Sequence, residues 1–164
     1  MREYNKYFAG IVEAMNILMN IEYRGWIDIR LWENQHEFTI EGSFLSDVIH
    51  DIANRISTLT EGANEVIIRV QAEPGEYRIL IIKNGDNCLV EVYEFDDNFS
   101  SDDLTKGNIV FHASDEMSLL LKRFYNEITK LKELGEKEYH RIWGYEFPSE
   151  AYQRLKKAVS KHPK

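Results

Sequence analysis

Two tight reversals constrain this chain more than anything else in it. Glu73-Pro74-Gly75-Glu76 separates the strand-like runs 66–72 and 77–83, and Asn84-Gly85-Asp86 separates the second of these from the run 89–95. Proline presets φ at about −65° and glycine tolerates positive φ, so the first reversal predicts a type II turn. Strands joined this closely run antiparallel, because a parallel pair needs a crossover of a dozen or more residues. An upstream pair follows the same rule. Ile27, Ile29 and Leu31 alternate with Trp26, Asp28, Arg30 and Trp32, and beyond Glu33-Asn34-Gln35-His36 the period of two resumes at Phe38 and Ile40, which predicts a hairpin. A sixth strand is predicted over 108–113.

Between these blocks the period changes to that of a helix. Phe8, Ile11, Val12, Met15, Leu18 and Met19 recur at spacings of three and four and predict an amphipathic helix over about residues 4–20, with Gly10 as its weak point. Phe44, Leu45, Val48, Ile49, Ile52, Ala53, Ile56 and Leu59 predict a second, capped by Ser43 or Ser46 and stopped near Gly62. Asp115 is placed to cap a third, with Leu120, Leu121, Phe124, Ile128, Leu131 and Leu134 inward and Gly135 ending or interrupting it. Pro148 can start a last helix bearing Ala151, Leu155, Ala158 and Val159. The chain therefore reads as one α+β domain over 1–164: a helical segment 1–24, a sheet over 25–113 with an inserted helix 43–61, and helices over 114–164. The sheet is expected to be a mainly antiparallel meander of about six strands, with two main helices on one face and the N- and C-terminal helices beside them. Its other face is expected to be partly wet, given Trp26, Asp28, Arg30 and Trp32 on one side of one strand.

With 164 residues, 43% of them hydrophobic, the chain can build a core without disulfides or a structural metal. Cys88, the single cysteine, cannot bridge internally, and the opening residues are broken by Gly10, Glu13 and Asn16, so neither a signal segment nor a membrane span is expected and a cytoplasmic location is. A net charge of −8 opposes nucleic acid and anionic membranes as partners. That charge is unevenly spread: residues 1–116 hold 9 basic and 22 acidic side chains, and residues 117–164 hold 11 basic and 6 acidic. Residues 84–105 contain Asp86, Glu91, Glu94, Asp96, Asp97, Asp102 and Asp103 with no Lys or Arg. Such a run is either a solvated edge or a surface for a basic partner. Trp26 and Trp32, aromatic among charges, are either interface anchors or lie under a loop or the N-terminal helix.

Candidates for chemistry are sparse. Asp47, His50, Asp51 and Asn54 share one face of a helix, where they could hold a divalent metal or orient a general base, or simply form a solvated face. Glu73 and Glu76 flank one turn and could divide acid and base roles if one were buried, with Arg69 and Arg78 as the alternative partners. Cys88 and His112 are a formal nucleophilic pair that no third residue orients. No glycine-rich phosphate loop, His-Glu-x-x-His or Gly-x-Ser-x-Gly occurs, so no cofactor is expected.

Ser43-Phe44-Leu45-Ser46-Asp47 opening a helix, Glu73-Pro74-Gly75-Glu76-Tyr77-Arg78 entering a strand and Phe147-Pro148 entering the final helix resemble a group of small acidic bacterial proteins, similar to the immunity proteins of polymorphic toxin systems, including contact-dependent growth inhibition. The likeness spans roughly residues 25–159. The resemblance implies a cytoplasmic, non-catalytic antitoxin, a monomer or weak homodimer, that binds the C-terminal domain of a cognate toxin, often a nuclease. It carries no site residues with it. An enzyme or metal-binding protein using Asp47, His50 and Asp51, and a regulatory protein-binding module, remain as alternatives.

Overall fold

The computed structural model describes residues 14–98 and 102–162. Strands β1 (Asn16–Glu22), β2 (Trp26–Glu33) and β3 (His36–Ser43) form one antiparallel sheet in the order β1-β2-β3. Strands β4 (Glu65–Gln71), β5 (Glu76–Asn84), β6 (Asn87–Phe95) and β7 (Asn108–Glu116) form a second in the order β4-β5-β6-β7. Helix α1 (Val48–Thr58) connects the sheets, and α2 (Met117–Lys132), α3 (Glu136–Trp143) and α4 (Ser149–Lys161) follow. The α+β class and the antiparallel meanders are those the reversals require. The Glu73–Pro74 bond at the β4–β5 tip is cis and Gly75 takes the expected positive φ, 90°, but the hydrogen bond across the tip runs from Ala72 N to Gly75 O rather than from Glu76 N to Glu73 O, so the reversal is not the type II turn expected.

Among the described residues the strand count rises to seven, in two sheets, because those before Trp26 form a strand rather than a helix. The expected helix over 4–20 falls partly on residues 1–13, outside the described residues, and its remainder is β1. Met15, Ile17 and Met19 are buried while Asn16 and Asn20 are exposed, the period of two that a strand needs. Met15, Leu18 and Met19 also satisfy the helical spacing, and Ile17 and Ile21 break the tie in favour of pairing with β2, from Asn16 opposite Trp32 to Glu22 opposite Trp26.

Strand β3 lies across the inner face of the second sheet. At one end a Cβ on Gly42 would stand 2.5 Å from Val70 Cγ1, so only glycine lets β3 approach β4 this closely. At the other end the His36 ring stacks on Phe111 of β7, with centroids 5.5 Å apart. One core joins both sheets and the helices: Ile29, Leu31 and Ile40, Ile68, Ile79, Ile81 and Val90, Ile49, Ile52 and Ile56, Phe124 and Ile128, and Leu155 are all fully buried.

Helix ends differ from expectation in three places. Helix α1 starts at Val48, with the Asp47 side chain, rather than that of Ser43 or Ser46, accepting from His50 N, which leaves Phe44 and Leu45 about half exposed in the preceding turn. Asp115 does not cap α2. It is buried at the end of β7, accepts from Glu116 N at 2.8 Å and pairs with Arg123, because the ladder with β6 runs on to Glu116. Helix α3 was not expected: between Gly135 and the left-handed Gly144 it buries Tyr139 and Trp143 against the start of α1, and Leu134 is exposed. Helix α4 turns Arg154, Lys156, Lys157 and Lys161 outward, with Arg154 paired to Glu61.

Candidate partner interface

Strands β5 and β6 are buried on both faces. Their inner residues belong to the core. On the outer face Glu76, Arg78 and Leu80 of β5 stand opposite Phe95, Tyr93 and Glu91 of β6. The chain beyond β6 supplies the cover. Leu104, at the start of a 3-10 turn over Leu104–Lys106, packs with Leu80, Tyr93 and Phe95 in a second small apolar cluster. Gly107 lies against the Phe95 ring, where a Cβ would come within 2.7 Å of Cζ. Two polar ties join described residues on either side of 99–101 to β4: Asn98 Nδ2 donates to Gln71 Oε1 at 2.7 Å, and Arg69 pairs with Asp102. Asp103 closes the turn by accepting from Thr105 N at 3.0 Å and Thr105 Oγ1 at 2.6 Å.

Beneath this strap sits a buried ion pair. Arg78 Nη2 donates to Glu76 Oε1 at 2.9 Å, both side chains are at most 1% exposed, and the guanidinium lies 3.9 Å from the Phe95 ring centroid. Glu76 Oε2 has no hydrogen-bond partner among the described residues. The turn carboxylates thus take opposite environments, Glu76 buried with Arg78 and Glu73 exposed, and Arg69 goes to Asp102 instead of to the turn.

The strap also divides the acidic run. Asp96, Asp97, Asp102 and Asp103 are exposed at one end of the second sheet. Glu73 joins them, because the β4–β5 tip packs onto the end of β6 so closely that a Cβ on Gly75 would stand 2.5 Å from Phe95 O and 3.4 Å from Asp96 O. The sequence offers Glu73 as one of two turn carboxylates that could divide acid and base roles; the antiparallel register that brings Glu76 opposite Phe95 sets its turn at the same end of the sheet as Asp96. Asp86 is exposed at the other end of β6, roughly 30 Å away at about 3.3 Å per residue. Glu91 is buried and accepts from Tyr93 Oη at 2.6 Å. Glu94 is half-buried on the opposite face beside Tyr77, whose hydroxyl is pushed above its ordinary range by burial and then by the Glu94 charge.

Trp26 and Trp32 lie on the outer face of the first sheet, Trp26 about a third exposed and Trp32 half-buried. Between them Arg30 makes a two-pronged pair with Glu37, at 2.7 and 2.9 Å, and stands 5.1 Å from the Trp32 ring centroid.

The other candidates make local contacts. Asp47 Oδ1 accepts from Trp143 Nε1 at 3.0 Å as well as from His50 N, joining α3 to the start of α1. Burial pushes its carboxyl above the ordinary aspartate range, against the opposing pull of those two bonds. His50 Nε2 meets Asn54 Nδ2 at 3.1 Å, and its Nδ1 lies 3.6 Å from Asp51. Among the described residues no three His, Cys, Asp or Glu side chains converge as metal ligands would. Cys88 and His112 cannot act as a pair, since Cys88 points into the core with Val90 and Val92 while His112, opposite Glu91, is on the outer face. Burial drives the Cys88 thiol far above its usual range, which removes the thiolate that nucleophilic chemistry uses.

No family model matches this chain, and no curated protein matches it. One solved structure is similar, a chain of the CdiA-CT/CdiI toxin and immunity complex from Enterobacter cloacae, at 11% identity and a TM-score of 0.43, with 72% of this chain and 99% of that one covered. No residue is carried across at that similarity. No described helix is long and apolar enough to cross a membrane.

Proposed function

We propose that this chain is a non-catalytic immunity protein, which binds a cognate toxin domain that acts on nucleic acid and neutralises it by covering its active site. The observation that carries the reading is the exposed patch of Glu73, Asp96, Asp97, Asp102 and Asp103, held in place by the strap. A surface that grips nucleic acid is basic, and a fixed carboxylate patch complements it in charge, which speeds encounter and excludes partners of the same sign. Asn98 and Asp102 are themselves tied to β4, so little conformational freedom is lost at these two residues on docking. Of the acidic run, Asp86, Glu91 and Glu94 lie outside the patch by position or burial, and Trp26 and Trp32 offer a separate face for apolar contact. A stoichiometric inhibitor needs no nucleophile, base or metal of its own.

The experiment is to co-purify the chain with the product of its adjacent gene and follow association by stopped flow. Replacing Asp96, Asp97, Asp102 and Asp103 by Asn and Ser together is expected to lower the association rate by roughly ten-fold at low salt, with a smaller change in dissociation. An unchanged rate would remove the patch from the interface and leave the Trp26 and Trp32 face to be tested in the same way. Failure of any toxin domain to co-purify, with growth unprotected when one is expressed, would reject the reading.

A further inference from the structure

The acidic patch borders a hollow to which three arginines contribute. Asp102, through its pair with Arg69, forms one wall of a hollow of about 360 Å³ between α1 and strands β4 and β5, lined also by Arg55, Arg78, Ser46 and Asp51. Three guanidinium groups from three separate elements meet there. Arg55, in the last turn of α1, is exposed and makes no ion pair among the described residues. Arg78 is buried and held by Glu76 and the Phe95 ring, so its position is fixed before any ligand arrives. The Ser46 hydroxyl oxygen is buried and has no hydrogen-bond partner among the described residues. Two of the three arginines are neutralised in place, Arg69 by Asp102 and Arg78 by Glu76, which leaves Arg55 as the guanidinium with no ion pair among the described residues and Asp51 as the remaining carboxylate.

We infer that this hollow is a receptor for a single carboxylate side chain, an Asp or Glu set within the basic face of the protein partner; the inference rests on the immunity reading for the partner's identity. The planar guanidinium fork matches a carboxylate with two parallel hydrogen bonds, and the unpartnered Ser46 hydroxyl adds a neutral donor. Asp51 and Asp102 at the rim select against a phosphate chain, which would bring several charges past both of them into the field of an acidic protein. A carboxylate on a short side chain enters between them. The patch recognises charge of one sign, and the hollow demands one charge of the other sign at a fixed place. Together they distinguish a cognate basic surface from any other basic surface.

The test begins with the free chain. In an NMR titration, N-acetylglutamate is expected to shift the Arg55 and Arg69 Nε–H and the Ser46 resonances saturably in the millimolar range. Arg55→Gln, which leaves the core untouched, is expected to weaken that binding about ten-fold, in line with loss of a charged hydrogen bond. No saturable shift in the unmodified chain overturns the inference. Inorganic phosphate binding ten-fold more tightly than N-acetylglutamate overturns it in favour of a phosphate ligand. Against the purified toxin domain, Arg55→Gln is expected to raise the dissociation rate about ten-fold with association little changed. If that variant dissociates normally while the four-fold acidic variant associates slowly, the hollow is no receptor and the immunity reading stands. If no toxin domain binds at all, the immunity reading fails, and the N-acetylglutamate titration still decides whether the hollow takes a carboxylate.

Discussion

The outer faces of the two sheets began with similar prospects and ended differently. On β2 the outward positions are Trp26, Asp28, Arg30 and Trp32, polar enough to stay at the surface, and the ion pair of Arg30 with Glu37 stands in solvent. On β5 and β6 the outward positions include Leu80, Leu89, Tyr93 and Phe95, so that face is apolar as well, and the chain folds back as a strap to cover it. The Arg78 and Glu76 pair is buried as a result. The contrast teaches that a strand's second face decides how the following loop is used. Where it is polar the loop is free to be short; where it is apolar the loop becomes part of the packing, and whatever charge the loop carries is fixed in space.

The contrast can be broken or sharpened by substitution. The largest effects belong beneath both sheets, where Phe124→Ala is expected to cost about 3–5 kcal/mol and Ile49→Ala about 2–5 kcal/mol by chemical denaturation. A cost below about 0.5 kcal/mol at both would put these side chains at the surface. Comparable in size, Glu76→Ala strands a buried guanidinium and is expected to cost about 3–5 kcal/mol, whereas Arg30→Gln should leave the denaturation midpoint where it is. Equal responses from the two pairs would erase the difference between the faces. Leu104→Ala is smaller, about 2 kcal/mol, at the low end for a buried leucine. Its signature is local, with faster amide hydrogen exchange around the Leu104 turn and at Asn98 while β1 to β3 are unaffected. Smallest of all, His50→Ala is expected to preserve both stability and protection from toxin. Lost protection by a well-folded His50→Ala protein would revive an enzymatic role for the Asp47, His50 and Asp51 face.

Most of the fold was legible because its signals are local. The reversals at Glu73 to Glu76 and at Asn84 to Asp86 dictated antiparallel pairing, and the stripes of α1, α2 and α4 are the ones that pack. Strand β1 was misread as the end of a helix because its apolar residues satisfy both periods, and only a partner strand decides between them. Helix α3 was missed because one turn of Tyr139, Ile142 and Trp143 between two glycines is too short to show a stripe. For the site, composition located the acidic segment but treated seven carboxylates as one group. Their division depends on parity along β6, which turns Glu91 and Glu94 to opposite faces, and on the close approach of Gly75 to Phe95 and Asp96, which sets the turn of Glu73 at the end of β6. Arg55, Arg69 and Arg78 come from three elements, and nothing in their spacing along the chain announces that they meet.

The lysines of α4 and the carboxylates of the strap also have a joint effect. Arg154, Lys156, Lys157 and Lys161 ride on a helix that packs on α1 and α2, while Asp96, Asp97, Asp102 and Asp103 sit beyond the outer face of the second sheet. Under the proposed immunity role, the field of a basic partner acts on such an uneven charge distribution as a torque as well as a pull. Moving positive charge from α4 to the strap's side would leave the net charge unchanged and still make more of the first collisions unproductive.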